Sequence, residues 1–339
     1  MPGTRREALL IGLLLVVAVW AGASAWARLQ DDGFEAVNRG GSVDVDDEYD
    51  LSGLTIPREE IHTLLPRDAI PALTDPHRQS ASEAEWLADD ARIISVTVGD
   101  ETLGVPLAVL DWHEVVNTTV GGQPIAATYC PLCDSATVFS RRVGDEVLEF
   151  GVSGALYNSN VLMYDRTGNG LWSQLAMEAV SGPRAGTALD MLPVRLVPFA
   201  RFRETRPDAE IVSDQTGHQR SYGGDSPYDW YFADDRLLVP VRGMGDALPR
   251  KTLGVGIEAA GDAWFVPADA LDAGAERIIN TQLGAVRVTK TDAGVRVVDA
   301  PDAARTAQTF YYSWSAFFPG TEVVAAGAAD PTDDDKGED

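Results

Sequence analysis

"HEVVNTTVGGQPIAATYCPLCDSATVF", His113 to Phe139, decides how this chain reads. It holds both cysteines of a 339-residue chain and one of its four histidines. "QPIAATY" has the alternation of a strand. "DSATVFSRR" after Cys133 is rich in β-branched and aromatic residues, so it too reads as a strand rather than a helix. Upstream, "RIISVTVGDETLGVPLAV" is two β-rich runs around a Gly-Asp turn. Downstream, "ATVFSRRVGDEVLEFGV" is a hairpin pattern turning at Gly144-Asp145. "NVLMYDRTGNGLWSQ" turns at its Gly-Asn-Gly segment. "SASEAEWLADD" predicts a short helix capped by Ser80 or Ser82. The expected fold class is mainly β with short helices (α+β), in two divergent β-rich halves, with a barrel-like arrangement as one form.

The halves follow from internal echoes. "TLGVPLAV" near Leu103 returns as "TLGVGIEA" near Leu253. "VVNTTVGG" around Asn117 returns as "IINTQLGA" around Asn280. "FARFRETRPDAEIV" from Phe199 has a shortened echo in "WSAFFPGTEVV" from Trp314. The first half is expected over 59–235, with the Cys/His motif, and a degenerate second half over 236–325. Aligned on Asn117 and Asn280, His113 faces Glu276, Cys130 faces Ala293 and Cys133 faces Arg296. The reactive residues then belong to the first copy alone.

The formal net charge is -25, from 52 acids against 27 bases. Such a surface repels nucleic acid and anionic membrane at ordinary salt, and a high-salt origin accounts for the excess acid. Arg5 and Arg6 precede an uncharged run from Ala8 to Ala27, long enough to cross a bilayer. Residues 1–28 read as a signal peptide or membrane anchor, with "TRREAL" resembling a twin-arginine export signal. The body is therefore expected on the outer face of the cytoplasmic membrane or secreted, with the membrane as its partner through this segment. Residues 29–58 read as a flexible stalk, and residues 326–339 as a disordered acidic tail.

Cys130-Pro-Leu-Cys133 admits three uses. Two thiolates suit zinc or copper, with His113 as a third ligand returning across a hairpin. A thiol-disulfide centre uses the same pair, and His113 could then serve as a base. The third use is a local disulfide or a pair of buried thiols. A second cluster joins hydroxyls, amides and aromatics: Ser153, Tyr157, Asn158, Asp165, Trp172 and Gln174. With Asn117 these could line a pocket for a small polar or sugar-like ligand, or form hydrogen-bonded turns over an aromatic core. Asn117-Thr118-Thr119 is also an N-glycosylation acceptor pattern.

"WHEVVN", "GGQPIAATYCPLC", "FGVSGALYNSN", "MYDRTGNGLWSQ", "AVSGPRAG" and "YGGDSPY" together resemble the domain-of-unknown-function family 3179, over most of residues 60 to 325. The resemblance implies a secreted or membrane-linked protein of bacteria or archaea and carries no established reaction. His113, Asn117, Cys130, Cys133, Ser153, Asn158, Asp165, Trp172 and Gln174 match its signature stretches. The chain departs at Phe199, where many relatives have tryptophan.

Overall fold

Two β-hairpins organise the chain, each followed by a three-stranded meander and then by a strand, a helix and a strand. The first joins β1 (Arg92–Val98) to β2 (Glu101–Pro106) through the Gly99-Asp100 turn. Helix α1 (Leu107–His113) then leads into a meander of β3 (Val115–Val120), β4 (Gln123–Cys130) and β5 (Ser135–Ser140). An excursion follows: β6 (Phe150–Tyr157), β7 (Asn160–Asp165) and β8 (Leu171–Ser173), paired antiparallel in that order. The chain returns through β9 (Arg195–Pro198), α2 (Phe199–Thr205) and β10 (Glu210–Val212). A connector carrying α3 (Asp229–Phe232) reaches the second hairpin, β11 (Leu253–Ala259) and β12 (Asp262–Pro267). The second meander is β13 (Glu276–Thr281), β14 (Gly284–Thr291) and β15 (Gly294–Asp299), followed by β16 (Arg305–Phe310), α4 (Tyr311–Phe317) and β17 (Glu322–Val323). The computed structural model describes residues 45–324 except 292, 293 and 302, all within one compact unit.

The two successions share pairing as well as order. In the first, the sheet runs β9-β1-β2-β10, with β9 antiparallel to β1 and β10 parallel to β2. In the second it runs β16-β11-β12-β17, with β16 antiparallel to β11 and β17 parallel to β12. The Asn117 and Asn280 echo falls on β3 and β13, and the Phe199 and Trp314 echo on α2 and α4. The third echo does not fit this order. "TLGVPLAV" starts on β2, whereas "TLGVGIEA" lies on β11, the counterpart of β1.

The mainly-β expectation stands, but no closed barrel forms among the described residues. Several separate sheets pack together instead, the largest having eight strands. In it the first meander and the second hairpin sheet meet where β5 and β16 touch through a single register pair, Gln308 and Ala136. Helices α2 and α4 each press an aromatic ring onto a strand glycine. A Cβ on Gly104 would lie 2.9 Å from the Phe202 ring, and one on Gly256 only 1.9 Å from Trp314. Glycine at these positions lets helix and sheet approach closely.

Two local expectations change. "SASEAEWLADD" forms only a 3-10 turn at Ala81–Glu83, and the Ser80 side chain makes no capping bond. Residues 45–58, read as stalk, pack instead: Val45 and Tyr49 are buried, and the Tyr49 hydroxyl donates to the Ser153 carbonyl at 2.8 Å. Residues 1–28, the remainder of the expected stalk and the acidic tail lie outside the described residues. Among the described residues no helix is long and apolar enough to cross a membrane.

Candidate dithiol site

Cys130 ends β4 and Cys133 sits in the turn before β5. Cys133 N donates to the Cys130 carbonyl at 3.2 Å, so the two thiols share one turn. Asp134 closes that turn with a φ of 48°. Its carboxylate accepts from Arg92 at 2.9 Å and from the Tyr129 hydroxyl at 2.7 Å, which fixes the loop to β1 and β4. Both cysteines are free and buried.

Residues of the second succession complete the surroundings of the sulfurs. Ser313 donates its hydroxyl to Cys133 Sγ at 3.2 Å, and Tyr312 approaches the same sulfur at 3.6 Å while donating to the Leu132 carbonyl at 2.9 Å. Phe310 N and Thr309 Oγ1 both donate to the Cys133 carbonyl, at 2.8 and 2.9 Å. From the excursion, the Ser159 carbonyl lies 3.1 Å from Cys133 Sγ and 3.9 Å from Cys130 Sγ. Ser159 belongs to the tight β6–β7 turn, where Asn158 and Ser159 have φ of 48° and 62°. Two successive positive φ values outside glycine are unusual.

This setting separates the two thiols electrostatically. Burial pushes Cys133 up, but hydrogen bonds from Cys130, Ser313, Tyr312 and Asn160 outweigh it and hold the thiol below its ordinary range. Burial, the hydrogen bond to Cys133 and the charges of Cys133 and Glu114 drive Cys130 well above it. The two thiols therefore differ in acidity, Cys133 being the more readily deprotonated of the pair.

His113 is not part of this group. Helix α1 ends on Glu114, whose φ of 55° reverses the chain, and Glu114 N donates to the Leu110 carbonyl at 2.8 Å. His113 bonds the Pro71 carbonyl through Nδ1 at 2.6 Å. That bond places the proton on Nδ1, so Nε2 accepts from the Tyr222 hydroxyl at 2.7 Å. Both ring nitrogens are thereby engaged, and the expected Cys130, Cys133 and His113 ligand set is not assembled. Among the described residues no group of three or more His, Cys, Asp or Glu is placed to hold a metal ion. Burial lowers the His113 pKa to about 4, with His218 and Arg220 adding to the effect and the Pro71 bond opposing it. Glu114 is the neighbour that feels the thiols. Burial first, then the Cys133 and Asp111 charges, raise its carboxyl to about 8.

The second expected cluster is largely spent on internal bonds. Asn117 is fully buried, donating to the Leu73 and Phe150 carbonyls and accepting from Phe150 N, which leaves no room for a glycan in the folded chain. Ser153 donates to the Leu162 carbonyl at 2.5 Å. Asn158 accepts from Arg242 N at 3.0 Å. Asp165 accepts from Trp172 Nε1 at 2.9 Å, from Arg184 at 3.2 Å and from Gly168 N. Gln174 accepts from Ser135 at 2.6 Å and from Asn160, and donates to Thr128. Tyr157 sets its ring against Phe317. Asn117 and Gln174 tie the excursion to the meander, and the polar groups of Asn117, Ser153, Asp165 and Gln174 have partners within the fold.

Tyr312, Ser313 and Glu114 were not singled out from sequence, and Ser159, which belongs to the second polar cluster, was not tied to the thiols. Glu114 had a signal, in its position beside His113 in "HEVVN". Tyr312 and Ser313 stand about 180 residues from Cys133 and bear no local mark.

Comparison with curated proteins and with solved structures finds no match to the chain. A family model described as a protein of unknown function, DUF3179, matches residues 67–312. With its cysteine turn, its excursion and most of both strand successions inside that match, the chain belongs to the DUF3179 family.

Proposed function

We propose that this chain is an extracytoplasmic, membrane-associated thiol-disulfide protein in which Cys130 and Cys133 cycle between dithiol and disulfide. The observation that carries the reading is the convergence of the Tyr312 and Ser313 hydroxyls on the Cys133 sulfur beside a neighbouring thiol. Oxidation removes two electrons and two protons from the pair. With a disulfide as acceptor, the Cys133 thiolate attacks one of its sulfurs and releases a thiolate. Cys130 then displaces the second sulfur to close the internal bond. The buried Glu114 carboxyl is a neighbouring group able to exchange a proton with the pair. Both sulfurs are buried, so packed residues around them must move for a partner to reach them. The twin-arginine-like leader supports export to a compartment where such disulfides persist. The shared strand order supports a duplicated ancestry in which the first copy kept the thiols.

The test is a redox titration of the full chain in dithiothreitol buffers, with thiols counted after denaturation by alkylation and mass measurement. One reversible two-electron transition is expected, absent in Cys130→Ser and in Cys133→Ser. Thiols that stay reduced at every poise would reject the reading.

A second reading places a soft ion between the same sulfurs, because two thiols lie side by side against the Ser159 carbonyl. Copper(I) accepts few, soft ligands, whereas a structural zinc site takes four. Elemental analysis of protein purified without added metal separates the readings. Stoichiometric copper lost in the Cys130→Ser/Cys133→Ser double variant supports the ion.

A further inference from the structure

Beside the sulfurs lie two hydroxyls that the Cys133 loop does not engage. Tyr312 and Ser313 bond that loop and its sulfur. Tyr231 Oη and Ser159 Oγ are buried as well, yet neither has a hydrogen-bond partner among the described residues. Ser159 rests on the sulfurs through its carbonyl, 3.1 Å from Cys133 Sγ. The Tyr231 phenol feels the charges of both cysteines and lies near the Tyr312 and Ser159 hydroxyls, without closing a bond of good geometry to either. Burial, with the sulfur charges adding to it, holds this phenol above its ordinary pKa, so it keeps its proton and remains a donor. Its ring is fixed in place: Lys251 Nζ lies 3.4 Å from the ring centroid, and Trp230 and Phe232 meet it edge-on.

A buried donor left unpaired costs free energy that an arriving acceptor recovers. Hydroxyls bond an oxygen anion short and strongly, and a sulfur weakly, so the acceptor they suit is oxygen. Both sulfurs are enclosed, and an oxidant of few atoms needs a smaller opening of the fold than a protein disulfide does.

We infer that the oxidant of this pair is a small hydroperoxide, and that the Tyr231 and Ser159 hydroxyls hold its departing oxygen. The inference rests on the dithiol-disulfide reading of the site and names its electron acceptor. The Cys133 thiolate attacks the terminal peroxide oxygen and the O–O bond breaks. Cys133 becomes a sulfenic acid, and the other oxygen leaves as hydroxide or alkoxide, taking up the proton that Cys133 lost on ionising. Cys130 then attacks the Cys133 sulfur, the S–O bond breaks, and the hydroxyl leaves as water with the Cys130 proton. Two thiols lose two electrons in all, and the peroxide gains them.

Hydrogen peroxide is the probe, mixed in equimolar amount with the reduced full chain, with products read by mass after quenching. The unaltered chain should form one disulfide. In Cys130→Ser, Cys133 should gain a single oxygen that dimedone traps. Tyr231→Phe and Ser159→Ala should each slow the peroxide reaction at least about tenfold, as loss of an oxyanion donor does. Alkylation of Cys133 by neutral iodoacetamide should keep its rate in both. The inference is overturned if the two variants leave the peroxide rate unaltered, or slow peroxide and iodoacetamide alike. It is also overturned if peroxide oxidises the folded chain no faster than the chain unfolded in urea. A reversible dithiothreitol transition without peroxide reaction overturns this inference alone, whereas thiols inert to both overturn the redox cycle itself.

Discussion

The first and second strand successions are built alike and used differently. Both run hairpin, meander, strand, helix, strand, with the last strand parallel to the second strand of the hairpin. In the first, the whole β6–β8 excursion lies between meander and returning strand. In the second, residues 300–304 suffice. The first succession supplies the thiols and the Ser159 carbonyl, whereas the second lends hydroxyls from the start of α4. Two stretches with the same strand order can therefore divide one site between them, one bringing the sulfurs and the other their neighbours.

The largest expected break in this comparison is at the two glycines beneath the helices. Gly256→Ala forces a methyl into Trp314 and should destabilise the chain by roughly 3 kcal/mol or more, while Gly104→Ala, against the edge of Phe202, should cost about 1 kcal/mol. Urea denaturation of both variants measures the difference. Equal effects would show that the two helices do not depend differently on their glycines.

Next comes the pair of neighbours at the end of α1. His113 is held neutral, its pKa depressed to about 4, so the unfolded chain binds the extra proton between pH 6.5 and 4. Stability is thus lost as pH falls through that window, by about 3 kcal/mol for a shift of this size. Glu114 has the opposite sign. Its carboxyl, raised to about 8, makes stability fall as pH rises from 4.5 toward 8. Denaturation midpoints across pH should show His113→Asn flattening the acid limb and Glu114→Gln the alkaline limb. An unchanged slope in either variant would break that assignment.

The smallest effect sharpens the role of the second succession. Ser313→Ala removes one donor from the Cys133 sulfur and should raise that thiol's pKa, since a hydrogen bond to the ionised form favours it. The ultraviolet absorbance of the thiolate, followed against pH, reads it directly. Tyr312→Phe should act in the same direction, and less, because its contact is longer.

Much of the framework was legible because strand alternation and Gly-containing turns are local signals. β4, β5 and the turn at Gly168-Asn169-Gly170 follow from them. The Asn117 and Asn280 echo found the correct counterpart strands. The repeated "TLGV" misaligned two strands because a glycine that admits a neighbouring ring recurs for packing reasons at either strand of a hairpin. Residues 45–58 read as stalk because their acids mask Val45, Tyr49, Leu51, Leu54 and Ile56, which form one apolar cluster only after folding. The site was half legible. A Cys-x-x-Cys turn announces itself, but whether His113 or Glu114 turns toward it depends on one backbone angle, and Tyr312 arrives from the far end of the chain.

The Asn158-Ser159 turn has a consequence for access. Both residues are buried, and the Ser159 carbonyl rests on the sulfurs while Asn158 accepts from Arg242 N on the other side. The turn is thus an inner wall of the dithiol site, itself covered by chain. A partner disulfide reaches Cys133 only when packed residues move aside, so the speed of thiol exchange reports the opening of the fold around the sulfurs as well as their acidity.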